Sequence, residues 1–152
     1  MEGALAAGAS YADARVMVSR TRSLSVQDEV VEDLHQDESA GVGVRALIGS
    51  SWGFYATPEL TEAAARRAGE TAAAVARASA TVPGPPLSLS SAEGGAVEDH
   101  YETPVVEDPF AVSLSEQADH LVDVTRRIRS VDGIDVARAF LGFYETRKWF
   151  VS

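Results

Sequence analysis

From Tyr11 the chain alternates between small apolar and polar residues. Ala12, Ala14, Val16 and Val18 fall between Asp13, Arg15, Met17 and Ser19, the period of two that turns one face of a strand to a core and the other to water. Leu24 and Val26 resume the alternation after a turn expected at residues 20–23. Residues 30–36 form a weaker strand candidate and residues 40–48 a stronger one. Residues 52–56 follow across the turn signal Gly49-Ser50-Ser51. Strands joined this closely predict an antiparallel meander. Ahead of them, Leu5, Ala6 and Ala7 read as the end of a short helix closed by Gly8 or Ser10.

After the meander the period changes. Thr57-Pro58-Glu59 is expected to open a helix, with Thr61 as an alternative cap just downstream. The helix runs to about residue 80 and is rich in alanine, so it can lie close on a sheet. Residues 81–110 are irregular and hold five of the six prolines, the serines of 88–91 and Gly94-Gly95; a loop this long is usually functional or mobile. Ser113 and Glu116 then form a capping-box signature. The helix behind them places Leu114, Ala118, Leu121, Val122 and Thr125 or Ile128 at helical spacing. The last segment is dense in strand formers, with a hairpin tip expected at Thr146-Arg147. The order helix, strands, helix, long loop, helix, strands predicts an α+β fold: a mainly antiparallel sheet with helices packed on it. The whole is expected to be one domain, residues 1–152.

Composition narrows the function. The 152 residues carry a formal charge of -10, which repels phosphate backbones and argues against direct nucleic-acid binding. The three arginines at 126, 127 and 129 sit among acids on an expected helix face, not in a phosphate patch. There is no cysteine, which excludes disulfides, thiolate metal sites and a cysteine nucleophile. The start lacks a basic, strongly apolar leader, and no apolar run approaches the roughly 18 residues of a membrane span. A cytoplasmic protein with no membrane contact is expected.

Few residues suggest chemistry. His35, His100 and His120 are far apart, and no His-Glu-x-x-His helix exists. His120 with Asp119 and Asp123 makes at most a weak oxygen-rich site. Glu98, Asp99, His100 and Glu102 gather acid–base groups in the long loop, where acids are common. Gly41-Val42-Gly43-Val44-Arg45 lacks phosphate-loop spacing and lies inside a strand pattern. Its glycines fit either tight packing against the alanine-rich helix or the close passage of another backbone, such as an added strand or peptide.

In order and spacing, several segments resemble the first domain of the TldD/PmbA family. They are Gly8 to Val16, Gly41-Val-Gly-Val-Arg45, Gly49, Trp52-Gly53-Phe54, Thr57-Pro-Glu-Leu-Thr61, residues 101–110 and Lys148-Trp149-Phe150. The resemblance covers nearly the whole chain and is closer to the TldD branch. It implies a zinc metallopeptidase subunit, also known as a modulator of DNA gyrase, whose His-Glu-x-x-x-His helix lies in a later part of the protein. No catalytic or metal residue carries over to this chain, so zinc belongs to a domain expected beyond it, and the chain is expected to be truncated before that domain. The resemblance also implies a homologous partner subunit, in a homo- or hetero-oligomer, and peptides or unfolded segments as substrate.

Three readings compete: a non-catalytic amino-terminal domain of such a peptidase, an independent protein- or peptide-binding module without peptidase activity, and a small hydrolase using the loop carboxylates. For either of the first two, the residues expected to contact peptide or partner are Gly41, Gly43, Arg45, Trp52, Phe54, Trp149 and Phe150. Ala137, Ala139, Leu141 and Phe143 alternate with Arg138, Phe140, Gly142 and Tyr144, so apolar groups fall on both strand faces, and Trp149, Phe150 and Val151 add more; residues 140–151 are expected to be sticky unless something covers them.

Overall fold

The computed structural model describes residues 1–152 except 83, 86, 88 and 90–96. Most of the serine run and the Gly94-Gly95 pair of the long loop therefore lie outside the described residues. The elements are α1 (Glu2–Ala6), β1 (Tyr11–Gln27), β2 (Val30–Ile48), β3 (Ser51–Thr57), α2 (Glu62–Ser79), α3 (Leu114–Arg129) and β4 (Arg138–Val151). The strands make one antiparallel sheet in the order β3-β2-β1-β4, with helices packed against it. This is the expected α+β class. None of the described helices is long and apolar enough to cross a membrane.

The residues group into two compact units. The first comprises Met1–Val18, Ser39–His100 and Thr146–Ser152; the second comprises Ser19–Glu38 and Tyr101–Glu145.

In the first unit the core is made of small side chains: Ala4, Ala12, Val42, Val44, Ala46, Ala68, Ala72 and Ala73. Alanine brings backbones together. A Cβ at Gly53 would stand 2.0 Å from the Ala72 carbonyl oxygen and 2.4 Å from the Ala76 nitrogen, so α2 lies directly on β3 and position 53 admits no side chain. The helix starts at Glu62, capped by Thr61, whose hydroxyl accepts from the Ala64 amide at 3.2 Å. It does not start at Pro58, because Thr57 is still paired with Val42 in the β2–β3 ladder and the chain must leave the sheet before it can coil.

The second unit has a more conventional core of Leu24, Val26 and Leu121, with Ala118, Val122, Ala139 and Leu141 around it. Its helix α3 carries the expected capping box: Ser113 accepts from the Glu116 amide, and Glu116 accepts from the Ser113 amide. Thr125 is buried and Ile128 is exposed, which settles which of the two faces inward.

Three local expectations are corrected. The first turn lies at Asp28-Glu29, both in the left-handed region at φ 49° and 68°, and not at residues 20–23. Non-glycine residues are strained there. The strain is offset by three bonds: Asp28 N–H to Ala137 O at 2.9 Å, Ala137 N–H to Asp28 Oδ1 at 2.8 Å, and Glu29 N–H to Thr125 Oγ1 at 3.1 Å. Strand β1 continues through Arg20 and Arg22 because both are tied into the structure. Arg20 bonds Glu145 and lies 4.1 Å from the Phe110 ring centroid. Arg22 is only 8% exposed and donates to Val112 O and Gln117 Oε1. Second, residues 30–36 and 40–48 are parts of one strand, β2. Third, Thr146-Arg147 is not a hairpin tip; it lies inside β4, a single strand beside β1. Threonine and arginine are compatible with a ladder, and neither forces a turn there.

A candidate recognition face in the first unit

The β2–β3 register places Gly43 opposite Ala56, Arg45 opposite Phe54 and Leu47 opposite Trp52. Val42, Val44 and Ala46 belong to the core, so the intervening residues point to the other face of the sheet. On that face Arg45 forms a bidentate pair with Asp13, with Nε at 2.9 Å and Nη2 at 2.6 Å from Oδ2. The partners differ sharply in exposure: the Arg45 side chain is 42% exposed and that of Asp13 is 1% exposed. The hydrogen bonds to Asp13 hold the guanidinium above its ordinary pKa despite the opposing effect of burial, so Arg45 stays charged at any working pH.

Aromatic rings frame this pair. The Arg45 guanidinium lies 5.1 Å from the Trp52 ring centroid, and Tyr11 meets Trp52 edge-on at 5.8 Å and 88°. Phe54 covers Gly43: a Cβ there would stand 3.0 Å from the Phe54 ring. Arg15 lies 5.3 Å from the Phe150 ring centroid and has no carboxylate partner among the described residues. Phe54 and Phe150 remain at least half exposed.

Of the residues expected to make contacts, the structure brings Gly43, Arg45, Trp52 and Phe54 together on this face and joins Phe150 to Arg15. Gly41 has Thr57 O 3.0 Å from where a Cβ would stand. Trp149 is exposed and makes none of these contacts. The expectation that Gly43 packs against the alanine-rich helix is corrected: Phe54 from the neighbouring strand fills the space, and the glycine that touches the helix is Gly53. Sequence reasoning missed Tyr11, Asp13 and Arg15. A signal for the central pair was present, since Asp13 and Arg45 carry opposite charges at the polar phase of two alternating strands.

This face holds cations, a buried carboxylate and rings, with no nucleophile poised beside a base. Rings and guanidinium groups of this kind suit recognition contacts. Glu98, Asp99, His100 and Glu102 are exposed, with His100 N–H bonded to Asp99 Oδ1 at 2.8 Å. Asp123 is paired with Arg126 and Arg127. Among the described residues, no three His, Asp or Glu side chains come together to hold a metal ion, so the zinc implied by the resemblance has no fitting site in them.

Residues 12–76 match the family model for PmbA/TldA metallopeptidase domain 1. No curated protein matches the chain. Among solved structures, the chain is similar to a protein assigned as a modulator of DNA gyrase from Bacteroides thetaiotaomicron, with 15% identity and a TM-score of 0.67 over 99% of this chain and 34% of that one. A second assigned modulator of DNA gyrase, from Thermotoga maritima, gives 15% identity and a TM-score of 0.68 over 92% of this chain and 30% of that one. TldE from Thermococcus kodakarensis gives 16% and 0.63 over 91% and 31%. The chain thus spans about a third of the length of these structures, and at such identities they show a shared fold. The sequence match covers residues 12–76, under half of the chain, and makes that part similar to the first domain of the TldD/PmbA family, while the solved structures show that the fold is shared.

Proposed function

We propose that this chain is a non-catalytic amino-terminal domain of a TldD-like zinc metallopeptidase subunit, one that shapes a subunit interface and a substrate chamber for peptides or unfolded segments. The observation that carries the reading is the match of residues 12–76 to the first domain of a metallopeptidase family. The recognition face of the first unit supports it, because exposed rings beside guanidinium groups, one of them held by Asp13, suit contact with another polypeptide. In this reading Arg45, Trp52, Phe54 and Phe150 meet the partner or peptide, Asp13 holds Arg45 in place, and zinc chemistry belongs to another domain. The setting is cytoplasmic, in keeping with the lack of cysteine.

The test is association. The chain is mixed with a TldD/PmbA-family subunit from its own organism and followed by size-exclusion chromatography with light scattering. The expected result is a complex that Arg45→Ala/Phe150→Ser weakens. Co-elution unaffected by those substitutions, or no complex at all, would remove the interface role. A second reading, a stand-alone peptide-binding module, draws on the same exposed rings. It is favoured if unfolded peptides bind the chain while no family subunit does.

A further inference from the structure

The outer edge of β2 is only partly covered. Its partner β3 pairs with Val42–Ile48 and reaches no further, while β1 lies on the other side. From Val30 to Glu38, within the second unit, the edge has no neighbouring strand among the described residues. Nor does any described backbone group outside the ladder bond to this stretch. Nine residues at about 3.3 Å each give about 30 Å of strand whose outward N–H and C=O groups are open to pairing.

Every residue from Val30 to Glu38 is exposed. Glu32, Asp33, Asp37 and Glu38 have no ion-pair partner among the described residues, whereas many arginines are committed elsewhere. Arg45 is held by Asp13, Arg20 by Glu145 and Asp108, and Arg126 by Glu29 and Asp123. Acids on an edge by themselves only guard it. A second copy of the same edge would set four carboxylates against four, and so is rejected. The same four charges beside an open ladder attract a strand of opposite sign.

We infer that the Val30–Glu38 edge of β2 takes up a basic, extended polypeptide segment as an added strand. Backbone pairing would supply the register, and Glu32, Asp33, Asp37 and Glu38 would select for lysine and arginine. This goes beyond the reading above and does not depend on it, since its assay involves neither a partner subunit nor proteolysis.

The probe is a fluorescent nine-residue peptide of alternating lysine and threonine, blocked at both ends. Its control has proline in place of each threonine, which keeps the charge but removes half the backbone donors. Both are titrated into the full chain by anisotropy, and amide exchange is followed by mass spectrometry. Three results are expected: the threonine peptide binds on the order of tenfold tighter than the proline control, salt weakens it, and amides between Val30 and Glu38 become protected. Glu32→Lys/Asp37→Lys is expected to abolish that binding. Equal binding of the two peptides would reduce the effect to charge attraction and overturn strand addition. So would binding without protection at Val30–Glu38, or no binding of the threonine peptide.

Discussion

The two units solve the same problem, a helix on a sheet, with opposite materials. In the first, alanines and Gly53 let α2 approach until backbone nearly meets backbone, and the far face is held by the Asp13–Arg45 pair. In the second, Leu24, Val26 and Leu121 keep the layers apart by ordinary side-chain packing, while Arg22, Gln117 and Thr125 bond to nearby backbone or side chains. A core of small residues has no slack for an added methyl group. A core of larger ones can exchange shapes, because cores tolerate swaps that conserve volume.

That difference is open to attack, first at the charged pair. Arg45→Ala strands the Asp13 carboxylate at 1% exposure. The expected loss is about 3 kcal/mol, toward the low end for a buried charge left alone, because removing a half-exposed arginine also admits water. Asp13→Ala leaves a cation that already reaches solvent and should cost less. Urea unfolding of both variants checks the order; equal losses would mean the pair is screened like a surface ion pair.

The next largest effect separates the two cores. Gly53→Ala forces α2 off β3 and is expected to cost about 2–3 kcal/mol. Leu121→Met in the second unit, a swap of similar volume, is expected to cost less than about 1.5 kcal/mol. If the two denaturation midpoints shift alike, the contrast in packing is wrong.

The smallest effect concerns the second unit alone. Hydrogen bonds from the Ser113 side chain and amide hold Glu116 below its ordinary pKa of 4.5. A depressed carboxylate adds stability above its unfolded value and loses it as pH falls through the folded one. Protection of the first turn of α3 should therefore fade only below pH 4.5, and the fading should disappear in Glu116→Gln. Exchange measured across that range checks it. The first turn of α2, capped by the neutral Thr61 hydroxyl, is the internal comparison.

Much of this was legible where a residue's role depends on its neighbours in sequence. The alternation from Ala12 to Val18, the capping box at Ser113 and the alternative cap at Thr61 are local signals. The fold class follows from their order. What escaped depends on contacts distant in the chain. Arg22 looks like a turn residue until Val112 and Gln117 arrive to bond it. Asp28-Glu29 lacks the usual glycine or asparagine of a left-handed turn and is held by Ala137 and Thr125. Gly43 and Gly53 look interchangeable in a strand, and only the register shows that one faces Phe54 and the other faces α2. Asp13 is one of 23 acidic residues in the chain, and nothing local marks it as the one that is buried under an arginine.

The central proposal is that this chain recognises polypeptide and leaves bond cleavage to another domain. The most direct test is to incubate the purified chain, with zinc added, with a library of unstructured peptides and to search for new termini by mass spectrometry. The account predicts intact peptides, with binding detectable in a parallel titration. Cleavage that co-purifies with the chain and is lost on mutating Glu98, Asp99 or Glu102 would contradict it, and would move the function from the face around Arg45 to the loop carboxylates.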